Sequence, residues 1–183
     1  YTGGTTINAG TLALGSSGAI GSSGTISFGG GTLQHSASNT TDYSSSFSNA
    51  GSQIWNIDTN AQNVTYASVL AGTSSTLTKS GTGTLTLSGA NTYTGATTVS
   101  AGTLKAGNAS AFGSNSATTI TGALALDIAG FNVSVGSLAG AGTVTNSVAT
   151  SNTLTTGGNN TSTTHSGVIQ NGTGTIVLTK VGT

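Results

Sequence analysis

The chain has 183 residues, with three Lys, no Arg, three Asp and no Glu, so its formal net charge is zero. A neutral balance without Arg leaves no electrostatic footprint for nucleic acid or an anionic membrane, and the lack of Cys excludes disulfides, thiolate metal sites and cysteine nucleophiles. Thr and Ser number 37 and 27, about a third of the residues, yet the chain does not read as a disordered linker, because its apolar residues recur with period two.

That alternation predicts short strands at 5–7, 11–14, 25–28, 32–36, 53–58, 62–70, 76–79, 84–88, 97–99, 103–106, 118–121, 123–128, 132–135, 143–146, 152–155, 163–170 and 175–180. Thr25-Ile26-Ser27-Phe28, Thr84-Leu85-Thr86-Leu87 and Ala123-Leu124-Ala125-Leu126 show the pattern most plainly. The polar positions are mostly Thr, which is β-branched and favours extended backbone. Gly, Asn and Ser clusters between the runs supply turn chemistry. No segment carries a helical stripe beyond a single turn at 109–112, and no apolar run approaches the roughly 18 residues of a membrane span.

The chain also repeats itself. Tyr1-Thr2-Gly3-Gly4-Thr5-Thr6-Ile7-Asn8-Ala9-Gly10-Thr11-Leu12 returns as Tyr93-Thr94-Gly95-Ala96-Thr97-Thr98-Val99-Ser100-Ala101-Gly102-Thr103-Leu104, an offset of 93 − 1 = 92 residues. Leu77-Thr78-Lys79-Ser80-Gly81-Thr82 returns at 178–183, an offset of 178 − 77 = 101. The nine-residue difference reads as a loop insertion around 146–165, and the repeat divides the chain into modules 1–92 and 93–183. Both ends fall within a repeat, which predicts a segment of a longer array.

Strand, tight Asn/Ala-Gly corner, strand is the local unit of a β-helix. Gly10 and Gly102 are placed to supply a positive φ at such a corner. The expected fold is all-β: a right-handed parallel β-helix, or β-solenoid, with turns of roughly 20–25 residues and about eight turns in all. Leu, Ile, Val, Ala and Phe point inward. Thr and Ser point outward in ladders.

The run from Leu77 through Tyr93-Thr94-Gly95 to Leu104 closely resembles the autotransporter-associated β-strand repeat. Residues 1–12 form a second partial copy and 167–183 a third. The resemblance implies a right-handed parallel β-helix in the passenger region of a very large bacterial surface or secreted protein. The family motif is structural, so it implies no catalytic residue, cofactor or metal ligand.

The residues themselves offer little chemistry. Acid/base work on a glycosidic bond needs paired carboxylates. Asp58 and Asp127 read instead as turn residues, and Asp42 is the third. His35 and His165 lack metal-ligand spacing and read as surface residues. Calcium would want several carboxylates, so Gly29-Gly30-Gly31 reads as a flexible corner. Gly140-Ala141-Gly142 lacks the Lys and helix of a phosphate loop. No Ser sits in a nucleophile elbow. Catalytic, cofactor and metal sites are therefore expected to be none, and the chain is expected not to be an enzyme.

A binding role would draw on Trp55, Tyr43, Tyr66, Tyr1 and Tyr93 if exposed, with the Ser- and Asn-rich segment 36–52, which carries Tyr43 and Phe47, as the best candidate surface. Trp55 is expected in the core, at a bulge between inward-facing Ile54 and Ile57. Tyr1 and Tyr93 are expected to play one structural role at a corner. Thr82-Gly83-Thr84-Leu85-Thr86 and Thr119-Ile120-Thr121 carry Thr-x-Thr spacing of the kind that could match ice, though unequal repeat lengths argue against it. The leading expectation is a structural shaft or fibre segment, extracellular or at the bacterial cell surface, outer-membrane-anchored or secreted. Its expected partners are neighbouring repeats of the same protein and identical chains in a filament or bundle. The alternative is an adhesin passenger region that binds glycans or host and matrix surfaces.

Overall fold

The computed structural model describes residues 1–21, 23–121 and 125–183. The expected strand at 123–128 therefore lies partly outside the described residues. Among the described residues, eighteen short strands wind around three sides. On the first side lie β1 (Thr5–Ile7), β3 (Ile26–Phe28), β13 (Val133–Val135), β16 (Ser151–Thr156) and β18 (Thr175–Lys180). The second side holds β2 (Thr11–Ala13), β4 (Thr32–Gln34), β5 (Ile54–Asp58), β7 (Thr76–Ser80), β9 (Thr97–Val99), β11 (Ala117–Ile120) and β14 (Ser137–Gly140). The third holds β6 (Val64–Tyr66), β8 (Thr84–Leu87), β10 (Thr103–Ala106), β12 (Ala125–Asp127), β15 (Thr143–Thr145) and β17 (Val168–Ile169).

Every ladder between these strands is parallel, and each strand pairs with its counterpart one turn away. Thr11, Thr32, Asn56, Thr78, Thr98, Thr119 and Ala139 mark successive turns along the second side. Across the three sides one turn takes between 143 − 125 = 18 and 168 − 143 = 25 residues. Eight turns are complete and β18 opens a ninth. The architecture is the expected β-solenoid. Its strand at 137–140 was not foreseen, because Ser-Leu-Ala-Gly is too short and too small to show alternation. A 3-10 turn at Ser44–Ser46 was also missed.

The first side is regular only at its two ends. Between β3 and β13 the chain bends, and single hydrogen bonds replace the ladder. Ser48 N donates to Ile26 O at 2.8 Å, Thr92 N to Leu70 O at 3.0 Å and Ser114 N to Tyr93 O at 2.9 Å. Asparagine side chains fill the remaining gaps. Asn91 Oδ1 accepts from Leu70 N at 2.8 Å while its Nδ2 donates to Ala111 O at 2.6 Å. Buried backbone groups must find partners, and asparagine supplies both a donor and an acceptor where strands do not align.

The two offsets in the repeat follow from this three-sided section. The first copy occupies β1 and β2, on the first and second sides of turn one. The second copy occupies β9 and β10, on the second and third sides of turn five. The 92-residue offset is therefore four turns and one side. Leu77 lies in β7 on the second side, and Leu178 in β18 on the first, four turns and two sides later. The later copy thus runs one side further, and the turn from Gly140 to His165, at 165 − 140 = 25 residues, is also longer than the 20 to 21 of the three steps before it, in the region where a loop insertion was expected.

The interior is one continuous apolar column. Leu33, Ile57, Leu77, Leu85, Leu104, Ile120, Leu126 and Val144 are fully buried. Aromatic rings widen the early turns: Phe28 and Phe47 meet edge to face at 4.9 Å, Phe47 and Tyr66 at 5.2 Å, and Trp55 and Tyr93 at 5.7 Å. Trp55 is in the core, but without a bulge. Trp55 and Ile57 point inward while Ile54 is 40% exposed, so strict alternation holds through β5.

Candidate functional site

The candidate groups are the three carboxylates, the two imidazoles, the aromatic residues and the hydroxyl ladders. Each carboxylate is occupied by backbone. Asp58 Oδ1 accepts from Asn60 N at 2.8 Å, and Asp58 Oδ2 from Gln34 Nε2 at 2.8 Å. Asp127 Oδ1 accepts from Ala129 N at 2.9 Å and Ser147 N at 3.0 Å. Asp42 accepts from Ser44 N and Ala67 N, both at 2.8 Å. Asp58 lies at the end of β5 on the second side, Asp127 at the end of β12 on the third, three turns apart. The fold does not bring them together as an acid/base pair.

His35 departs from expectation. It is fully buried rather than on the surface. Leu33 points inward and Gln34 outward, so alternation carries His35 inward as well; the signal was in the sequence. Its Nδ1 lies 3.2 Å from Asn39 O and its Nε2 2.9 Å from Tyr66 Oη. Burial lowers its pKa below the ordinary 6.5, against opposing pulls from the Asn39 carbonyl, Asp42 and Asp58. His165 pairs with Gly140 across an isolated bridge, inward on the second side, and is partly buried rather than a free surface residue. Its ring borders a cavity of about 320 Å³ between turns seven, eight and nine, together with Leu138, Ile169, Leu178 and Lys180.

The aromatic binding surface does not form either. Tyr43, Phe47, Trp55, Tyr66 and Tyr93 are all buried, Tyr1 is exposed, and the exposed part of 36–52 is Ala37, Ser38, Thr40, Thr41, Asp42, Ser45, Asn49, Ala50, Gly51 and Ser52. No ring is therefore presented to a sugar there. Gly29-Gly30-Gly31 forms a corner packed over Ile7, Asn8 and Ala9 of the turn before. Among the described residues, no group of three or more His, Cys, Asp or Glu could hold a metal ion, and no helix is long and apolar enough to cross a membrane.

Sequence reasoning missed the most unusual polar residue. Lys79 sits inward on β7, level with Ile57 below and Val99 above, and is fully buried. Its Nζ donates to Ser80 O at 2.8 Å, Gly81 O at 2.7 Å and Ala101 O at 3.1 Å. Burial brings its pKa down from 10.5 to about 8, partly offset by Asp58. The three carbonyls hold the ammonium by its three donors, so the charge clamps the corners of turns four and five. Lys180, its repeat counterpart, likewise donates to the carbonyls of Val181 and Gly182.

Outside, Thr11, Thr32, Asn56, Thr78, Thr98 and Thr119 form a ladder along the second side. The next column does not continue as Thr: Ser80, Ser100 and Thr121 turn their hydroxyls to the carbonyls of Ile57, Lys79 and Val99 one turn below. On the third side Thr84 and Thr86 give way to Thr103 and Lys105, then Ala125 and Asp127. Regular paired Thr columns of the kind an ice lattice would need are thus absent among the described residues of these two sides.

These features define a parallel β-solenoid whose carboxylates, Lys79 ammonium and His35 ring are spent on holding turns and corners. The family described as the passenger-associated-transport-repeat matches residues 1–14 and 77–106, the stretches that form β1–β2 and β7–β10. The chain is also 40% identical over 201 residues to the Adhesin BmaC autotransporter of Brucella suis biovar 1 (strain 1330). That alignment takes in 98% of this chain but 6% of that protein, so the chain spans a small part of the relative's length. No solved structure matches it. Residues 1–14 and 77–106 thus carry the passenger-associated transport repeat.

Proposed function

We propose that the chain is a structural shaft segment of a very large bacterial cell-surface or secreted protein, and that it works by length and stiffness rather than by chemistry. The observation that carries this reading is the use of the polar groups. All three carboxylates, the ammonium of Lys79 and the ring of His35 are engaged in holding turns and corners. Eight turns at ~4.8 Å each would give a rod of about 40 Å. In this reading residues 1–92 and 93–183 are two modules of one continuous solenoid. Its partners are adjacent repeats, with lateral assembly of identical neutral chains into fibres as an extension.

A second reading has one specific support: the relative is named an adhesin. In that case the segment contacts host, matrix or glycan surfaces directly. The two readings separate in one experiment. In the full-length protein on its native cells, this segment is replaced by an equal number of unrelated solenoid turns. A shaft keeps surface attachment unchanged, and electron microscopy shows rods of the same length. Loss of attachment with rods of unchanged length would overturn the shaft reading in favour of direct adhesion.

A further inference from the structure

We propose that His35 is an acid-released latch that holds the loop 36–47 against the solenoid. This loop leaves the second side after β4 and returns to the first side at Phe47, which bridges to Ile26. Its hub is Asn39, which is buried. Asn39 Nδ2 donates to Tyr43 Oη at 2.8 Å and to the Ser16 carbonyl. Tyr43 Oη donates onward to Ser17 O at 2.9 Å, and Ser36 Oγ donates to Leu14 O at 2.5 Å. The loop is thus tied to the turn below. To the turn above it is tied by Asp42, which accepts from Ala67 N, and by Ser44 Oγ, which accepts from Ser68 N at 3.0 Å. His35 joins both anchors, touching Asn39 on one ring nitrogen and Tyr66 on the other.

The partners fix the proton. A carbonyl only accepts, so Nδ1 carries the hydrogen and donates to Asn39 O. Nε2 is then bare and accepts from the Tyr66 hydroxyl. Tyr66 is fully buried, and its hydroxyl makes no other hydrogen bond among the described residues. Protonating Nε2 turns two donors towards each other. Either the imidazolium N–H or the phenol O–H loses its partner in a dry interior, which is costly. The titratable groups acting on the ring are Asp42 of the loop, Asp58 at the end of β5 and the bonded Tyr66 of β6, while Tyr43 of the loop acts on Tyr66. The two carboxylates favour the imidazolium, but burial outweighs them. The nearest inward cation along the second side, Lys79, is two turns above Leu33. With the loop lifted the ring regains water and its ordinary pKa near 6.5. The open form therefore binds the proton more tightly, and closure weakens as pH falls below about 6.5 until the closed-state value is reached.

The test follows amide hydrogen exchange and the His35 ring by NMR in the intact chain from pH 7.5 to 5.0, with exchange rates corrected for their intrinsic pH dependence. At pH 7.5 the His35 ring should be the neutral Nδ1–H tautomer. Protection of amides 36–47 should fall by up to tenfold per pH unit below about 6.5, while β7–β11 amides keep theirs. In His35→Gln, whose amide can donate to Asn39 and accept from Tyr66 but cannot titrate, protection should stay flat. Loop protection that ignores pH in the wild type, or falls equally in the Gln variant, would overturn the latch. If that variant does not fold, the wild type decides alone. The loss of loop protection should set in near 6.5 and end where the closed-state His35 ring takes up its proton; a loss that does not lie between these two points overturns the proposal.

Discussion

The hydroxyl of Tyr93 lies 2.7 Å from Thr97 Oγ1 inside the solenoid, and Tyr1 meets Thr5 in the same way at 3.2 Å in the first copy of the repeat. The two pairs stand on different sides of the triangle, and Tyr93 is buried while Tyr1 is exposed. The i, i+4 pairing is therefore a property of the local motif rather than of the side on which it lies. In the buried copy the chain of hydroxyls has a fixed direction. Ser116 Oγ donates to Gly95 O at 2.7 Å, so Thr97 donates to Ser116 and Tyr93 to Thr97.

That direction ranks two substitutions. Tyr93→Phe removes the first donor and leaves every other group paired, at a cost of about 1 kcal/mol. Thr97→Val removes the middle and strands both the Tyr93 hydroxyl and the Ser116 acceptor, at a cost of about 2–3 kcal/mol. Urea unfolding of the two variants checks the order. Equal losses would mean that the chain of hydroxyls does not run as described.

Lys79 makes stability depend on pH in an unusual direction. The folded ammonium gives up its proton at about 8, the unfolded one near 10.5. Between these values the unfolded chain holds more protons, so stability should rise with pH across that window. Lys79→Met abolishes this term and takes one donor from three part-buried carbonyls, of which Ser80 O keeps Thr59 N, costing about 1–2 kcal/mol at pH 7. The difference in denaturation midpoint between wild type and Lys79→Met, read at pH 7, 9 and 10, isolates the lysine from the tyrosines. The gap should widen with pH, and a constant gap would contradict a depressed lysine.

The strands were legible because Thr-Leu-Thr-Leu and its relatives alternate over enough residues to give a clear face. The corner glycines were legible because Asn-Ala-Gly and Ser-Ala-Gly occur in equivalent contexts. Lys79 was not, because a lysine inside a strand reads as outward; only the register that stacks it between Ile57 and Val99 reveals its direction. His35 was misread for a related reason. Its inward phase was visible, but a polar residue at a strand end invites an exposed reading. The burial of Tyr43 and Phe47 depended on where loop 36–47 folds, which rests on contacts to Ser16, Ser17 and Ala67 far along the chain.

Gly10 and Gly102 are equivalent in the repeat and have nearly equal φ of 67° and 68°. A Cβ on Gly102 overlaps the carbonyl oxygens of Gly81 and Gly83 one turn below and comes within 2.7 Å of Lys79 Nζ. The strain of the left-handed conformation alone costs about 1 kcal/mol. Gly102→Ala adds backbone overlap and displaces the lysine clamp, so its cost should reach about 3 kcal/mol or more. Thermal unfolding of the variant measures the loss, and a cost of only about 1 kcal/mol would refute the close stacking of the two corners.

Lys105 and Asp127 separate a surface attraction from a structural carboxylate. They are adjacent partners across the third side, with Nζ and Oδ2 3.7 Å apart. The Lys105 side chain is 37% exposed and that of Asp127 only 6%. A part-exposed ion pair contributes little, so Lys105→Ala should cost less than about 1 kcal/mol. Asp127→Ala also leaves the amides of Ala129 and Ser147 without their acceptor, and charge-assisted bonds to backbone are the stronger kind. Its cost should be about 2–3 kcal/mol. Added salt should narrow the small effect of Lys105→Ala and leave most of the Asp127→Ala effect intact, because screening weakens the ion pair but not the hydrogen bonds to the turn.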